Sequence, residues 1–247
     1  IGGSAAFGYG SVDDDQTISG FLSSFLEKEE YQVFNLAQGG YTSYMELFIM
    51  STLGIYFEPD IIIVLDGYAD VNQLTNDSNQ SALSMGIWTG TPLQKDPSQV
   101  FQFYLENLSA ICKLAKFSNA EVIIALQPLS GFENDSTVDA KKIKNVWSIY
   151  PKARETAKSA TEINDAKFLD LSVIFKNDTN SGDYFFDQSH LSVAGQRKIA
   201  KALSSTIKNL ALNSNQEFSI PFRKRKMLIQ KILNASYDGK YKTADNY

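Results

Sequence analysis

Two short stretches carry the residue types needed for nucleophilic catalysis. The first, Gly2-Gly3-Ser4-Ala5-Ala6-Phe7-Gly8-Tyr9-Gly10, sets one hydroxyl inside a glycine-rich turn. Small neighbours let a substrate carbonyl approach such an oxygen and leave backbone N–H groups free to point at it. The second is Asp187-Gln188-Ser189-His190, a carboxylate and the chain's one imidazole three residues apart. Within one turn the carboxylate can accept from one ring nitrogen and fix the tautomer, which leaves the other nitrogen free to take a proton from a serine. Each stretch alone has a plainer explanation. The first reads equally as an ordinary glycine-rich loop, and the second as a helix-start histidine capped by Asp187. A phosphate loop is excluded for the first, because no Lys-Ser/Thr pair follows Gly10.

Composition narrows the alternatives. The 247 residues suffice for one large α/β domain with a sizeable core. One cysteine, Cys112, excludes an internal disulfide and reads as core, and one cysteine with one histidine argues against a zinc site of the usual ligands. No cofactor is expected. Ile61 to Leu65, an apolar run that no other exceeds, is far too short to span a bilayer, and no signal peptide is visible. The compartment stays open; a segment ahead of Ile1 would permit export or anchoring. The net charge of −5 is uneven: residues 217–247 carry seven Lys/Arg against three Asp/Glu, so the body is markedly acidic and a poor partner for nucleic acid. The tail's Arg223-Lys224-Arg225-Lys226, followed by Met227, Leu228, Ile229, Ile232 and Leu233, reads as a basic amphipathic helix for a membrane surface or a partner, or as a terminal helix with a solvated edge. Residues 1–212 are expected to form the main domain and 213–247 this tail.

The elements that must position Ser4 and His190 follow from periodicity. Ile18, Phe21, Leu22, Phe25 and Leu26 predict a helix over 17–29, followed by a short strand over Tyr31–Leu36 and a Gly39-Gly40 turn. Ser43 and Glu46 have capping-box spacing for a helix running to about Leu53. The β-branched run over 60–65 and the run over 122–126 read as strands buried on both faces, and Phe168–Leu171 as a last short one. Residues 71–97, which include Trp88, read as a long polar excursion that covers the acyl or alcohol side of a pocket as a lid. Helices are expected over 97–117, over 139–163 with a break at Pro151, and over 193–210. This alternation predicts a three-layer α/β/α sandwich on a parallel sheet whose strand ends share one rim, with the strand that feeds Ser4 lying mainly upstream of Ile1.

Taken in order, Gly2-Gly3-Ser4, Asn35-Leu36-Ala37-Gln38-Gly39-Gly40, Gly67-Tyr68-Ala69-Asp70 and Asp187-Gln188-Ser189-His190 resemble the ordered blocks of the SGNH (GDSL-like) hydrolases. The resemblance spans residues 2 to about 205. It implies a flavodoxin-like sheet and serine-dependent hydrolysis or transfer of acyl groups, with a small-molecule or glycan-linked acyl ester as substrate. It further implies Ser4 as nucleophile, His190 as general base, Asp187 as its orienter, and the Ser4 and Gly40 N–H groups as oxyanion donors. The third block departs from the family pattern, Gly-x-Asn-Asp, whose Asn side chain also donates to the oxyanion: the position is Ala69 here, and Asn72 is the nearest substitute. The first block has Gly3 where many members carry Asp. Three readings therefore stand: an esterase weakened at Ala69, an acyltransferase acting on sugar hydroxyls, and a non-catalytic binding protein on the same fold.

Overall fold

The structure, a computed structural model, describes residues 1–26, 31–75, 96–132, 140–176, 178 and 181–213. The excursion beyond Thr75, Trp88 and the basic tail lie outside the described residues. Three parallel strands, β1 (Ile61–Asp66), β2 (Glu121–Leu126) and β3 (Lys167–Asp170), lie side by side in that order. Asp66 pairs with Leu126 and Leu126 with Asp170, so the carboxyl ends of all three strands stop on one line. On the free side of β1, Ile1–Gly2 adds a strand stub. Gly2 bridges Leu65 in parallel, and the Leu65 N–H donates to the Ile1 carbonyl at 3.1 Å.

The helices are α1 (Ser4–Phe7), α2 (Ile18–Phe25), α3 (Ser43–Thr52), α4 (Tyr68–Thr75), α5 (Pro97–Phe117), α6 (Ala140–Asn164) and α7 (Val193–Asn213). Each β-branched strand has residues to bury on both faces, as its unbroken apolar run requires. One face offers Ile62, Val64, Val122, Ile124 and Leu126 to Tyr104, Leu108 and Ile111 of α5 and to Tyr150, Ala153 and Ala157 of α6. Ile123 and Ala125 on the opposite face of β2 are fully buried as well, and α1, α2 and α7 supply the buried Ala5, Leu22, Ile199 and Leu203. This is the α/β/α layering that the alternation predicts. One compact unit runs from Ile1 to Ser204, and a second begins at Ser205.

Local expectations fail in four places, each for a physical reason. Residues 31–36 form no strand: the stub beside them offers two residues to pair with, and the bond across is Gln38 N–H to Gly2 C=O at 3.2 Å. The Ser43–Glu46 capping box is not made, because the Asp70 carboxylate takes both the Ser43 N–H (2.9 Å) and the Ser43 hydroxyl (2.7 Å), while Glu46 turns into the core. Helix α6 runs through Pro151 without a break; Pro151 is exposed, and buried Tyr150 and Ala153 anchor the helix on both sides of it. The excursion after β1 starts later than expected, since 68–75 continue as α4.

Beneath this rim three acids, Glu46, Asp66 and Asp70, are buried together. Burial, then the charge of Asp70, pushes the Glu46 carboxyl well above the usual carboxylate range, against a smaller pull from the Ile1 amine. Burial, then the charges of Glu46 and Asp70, does the same to Asp66. A carboxyl whose pKa is raised on folding stabilises the fold below its unfolded pKa of about 4 and loses that contribution as pH climbs through the folded value. Glu46→Gln keeps the shape and removes the titration. The stability of this variant relative to the native chain should therefore grow with pH, reaching about 1 kcal/mol or more in its favour near pH 8 by urea unfolding, with the difference vanishing near pH 4.

Candidate active site

Ser4 stands where the Ile1–Gly2 stub turns into α1, at the carboxyl rim of the sheet. The turn needs glycine at position 2: its φ is +154°, and a Cβ there would sit 2.5 Å from both the Ala6 Cβ and the Leu65 carbonyl oxygen. Helix α1 is one turn long and ends at Gly8, whose N–H and that of Tyr9 donate to the Ser4 carbonyl at 3.2 and 3.0 Å. The Asn35 side chain donates to the Ala6 carbonyl at 3.0 Å and accepts from the Ala37 N–H at 3.0 Å, which ties the end of the serine's helix to the loop that carries Gly40.

The fold brings the two sequence stretches together. Ser4 Oγ lies 2.7 Å from His190 Nε2, and His190 Nδ1 lies 2.7 Å from Asp187 Oδ2. The other Asp187 oxygen accepts from the backbone N–H groups of Ser189 (2.9 Å) and His190 (2.8 Å), so the carboxylate is fixed before it meets the ring. Partial burial pushes the Asp187 pKa up, but the hydrogen bond to His190 and the two backbone bonds together outweigh it and hold the carboxyl below its ordinary value. Asp187 is thus an anion that can hold a proton on Nδ1 and leave Nε2 to accept from Ser4. The exposed Tyr9 ring leans on the imidazole, with centroids 4.5 Å apart.

Several buried polar bonds hold the loop that carries His190. Gln127, just past β2, donates to the Ser189 carbonyl at 2.8 Å, and Tyr150 donates to the Gln127 carbonyl at 2.6 Å. Gln188 donates to the Tyr68 hydroxyl at 2.8 Å, and its carbonyl accepts from the Ser130 N–H at 3.0 Å. Gln196, wholly buried on α7, accepts from the Ile18 N–H at 3.0 Å and donates to the Ser11 hydroxyl at 2.6 Å, so it pins the residues after the serine to the helix after the histidine. Sequence reasoning missed Gln127 and Gln196. A lone glutamine carries no periodicity, and only contacts across the chain give it meaning.

Three peptide segments converge beside Ser4. A Cβ placed on Gly3 would stand 3.1 Å from the Tyr41 carbonyl and 4.0 Å from the Ala69 Cβ, so the Gly40 loop and the start of α4 both flank the residue before the serine. That approach is tight enough that an aspartate at position 3 would force the Gly40 loop outward. Gly40 itself has φ +83°, in a turn closed by the Tyr41 N–H on the Gln38 carbonyl at 3.2 Å. Among the described residues neither the Ser4 nor the Gly40 N–H donates to a protein acceptor. Ala69 offers only a methyl group, and Asn72 lies one turn further along α4. No metal-binding group of three or more His, Cys, Asp or Glu occurs among the described residues.

Asp70 next to Ala69 fixes how these segments meet. By holding both polar groups of Ser43 it clamps the start of α3, and with it the Gly40 loop, to α4; Asn107 adds a bond to the Ser43 hydroxyl at 3.0 Å. Asp70→Ala should leave buried donors without an acceptor and cost about 2 kcal/mol in urea unfolding, whereas Asp70→Asn, which keeps one acceptor oxygen, should cost less.

No family model matches the sequence, and no curated protein matches it. Solved structures do match. A protein described as a GDSL-like lipase from Parabacteroides merdae superposes with a TM-score of 0.61 at 15% identity, over 84% of this chain and 93% of the other. An acetylxylan esterase from Geobacillus stearothermophilus gives 0.60 at 13% identity, over 84% and 91%. The lipase/acylhydrolase from Enterococcus faecalis gives 0.57 at 15%, over 84% and 93%. Likeness at such identities is likeness of architecture, and it spans nearly the whole of each partner. With its parallel sheet, its helical layers and a serine turn at the strand rim, the chain has the SGNH (GDSL-like) hydrolase fold.

Proposed function

We propose that the protein is a serine-dependent carboxylic ester hydrolase that works through an acyl-serine intermediate. The observation that carries this reading is the unbroken relay from Ser4 Oγ to His190 to Asp187, with both links at 2.7 Å. Ser4 Oγ attacks the acyl carbon while Nε2 takes its proton, and the Asp187 anion stabilises the imidazolium. The Ser4 and Gly40 N–H groups receive the developing oxyanion. The carbon–alkoxy bond then breaks, His190 returns the proton to the departing alcohol, and a water activated by the same nitrogen releases the acid. The esterases and acylhydrolases that share the fold support ester chemistry, and the acetylxylan esterase among them supports a short acyl group, on a small molecule or a glycan.

Incubation with a fluorophosphonate should label Ser4 alone, and Ser4→Ala should abolish both labelling and the hydrolysis of p-nitrophenyl acetate while the fold persists. Label at another serine, or full activity in the variant, would overturn the assignment.

Ala69 favours a second reading, a binding protein that keeps the fold without turnover. Loss of one oxyanion donor costs about 100- to 1000-fold in turnover, so the relay can be intact and the rate still low. Ala69→Asn places a donor beside Ser4 that gains strength only as charge develops. Turnover should rise about 10- to 1000-fold with little change in KM. A folded Ala69→Asn protein that neither turns over nor labels would favour the binding reading.

A further inference from the structure

The chemistry of the relay fixes where the alcohol part of a substrate must lie. His190 Nε2 hands its proton to the departing oxygen, so that oxygen comes within hydrogen-bond reach of the imidazole, and the rest of the alcohol extends over whatever borders the ring. Its aromatic neighbour is Tyr9, with centroids 4.5 Å apart. Phe186 comes next, its ring centroid 6.4 Å from that of Tyr9 and tilted by 59°. Both rings leave much of their surface to solvent: Tyr9 is 53% exposed and Phe186 64%. Gly10 leaves one side of Phe186 bare, since a Cβ at that position would touch it at 3.8 Å. Two bare aromatic faces beside a polar relay suit a partner that has both a C–H face and hydroxyls.

We propose that Tyr9 and Phe186 form the alcohol-side subsite and that the alcohol they take is a neutral sugar ring, stacked by its C–H face with the acylated hydroxyl toward His190. The proposal rests on the ester hydrolase reading above. Charge supports a neutral ligand, because the exposed carboxylates Asp183 and Asp187 flank Phe186 along the chain and repel an anionic alcohol. In the reaction the Ser4 Oγ–acyl bond forms as the acyl–sugar oxygen bond breaks. The proton passes from Oγ to Nε2 and on to the sugar oxygen.

The test compares acetate release from acetylated methyl β-xyloside and from ethyl acetate, which has no ring to stack. The native chain should favour the sugar acetate. Phe186→Ala and Tyr9→Leu should each lower the ratio of the two kcat/KM values by about 10-fold or more, mainly through KM on the sugar ester, while Tyr9→Phe should hold the ratio within about 2-fold. A Tyr9 that merely props the imidazole would lower both rates together, leave the ratio unchanged and overturn the proposal. So would an unchanged ratio in Phe186→Ala, the more exposed of the two side chains, which carries the test if Tyr9→Leu fails to fold. Release from neither substrate by the native chain would overturn the ester hydrolase reading and this subsite with it, whereas release from both with no effect of either variant would overturn the subsite alone.

Discussion

The hydrogen bond between Ser4 and His190 joins residues 186 positions apart, and most of the fold can be understood as the means of making it. Closing so long a separation has an entropic cost that no single contact offsets, so it has to be spread over the sheet. The stub at Ile1–Gly2 fixes the serine against β1, β2 carries Gln127 to the histidine loop, and Gln196 joins the two ends directly. Parallel pairing matters here because it stacks every strand's carboxyl end on one rim. An antiparallel neighbour would send one of the two stretches to the far edge.

Much of this was legible in the sequence, and the reason differs by element. Strands β1 and β2 announced themselves because burial on both faces leaves a run with no polar interruption. Helix α5 was bounded correctly by its proline start. The histidine stood out because the chain holds one, and Ser4 because, among many serines, it is the one that follows a pair of glycines. The Ser43 cap was read wrongly because a carboxylate from a different helix outcompeted the local one, and local spacing cannot reveal a donor's distant suitor. Pro151 was taken for a break because propensity describes a lone helix, while α6 is clamped to the sheet by Tyr150, Ala153 and Ala157. Gln127 and Gln196 had no signature at all, since each acts through partners far along the chain.

The same rim collects groups that work against stability. Glu46, Asp66 and Asp70 lie under the loops that form the candidate oxyanion site, and both Glu46 oxygens lack a hydrogen-bond partner among the described residues. Asp70 explains its own presence, since it holds Ser43 and so the Gly40 loop. Glu46 has no such positional role among the bonds described, while Asp66 shares a hydrogen bond with Asp70. Burial raises the pKa of the Glu46 and Asp66 carboxyls, which marks the floor of the site as poorly solvated, a setting in which a dipole at the rim acts more strongly than it would in water.

Asp187 is 42% exposed and the His190 ring 19%, so the far end of the relay is wet. That openness bears on the second half of the reaction. An acyl-enzyme partitions between acceptors according to their affinity and their concentration, and at a relay open to solvent water is in large molar excess over any dissolved alcohol. A competing hydroxyl would have to be held tightly enough to overcome that excess. On the proposed acyl-serine route hydrolysis would then be the default fate of the intermediate, and synthesis of a new ester would need either a bound acceptor that displaces the solvent or a medium from which water has been removed.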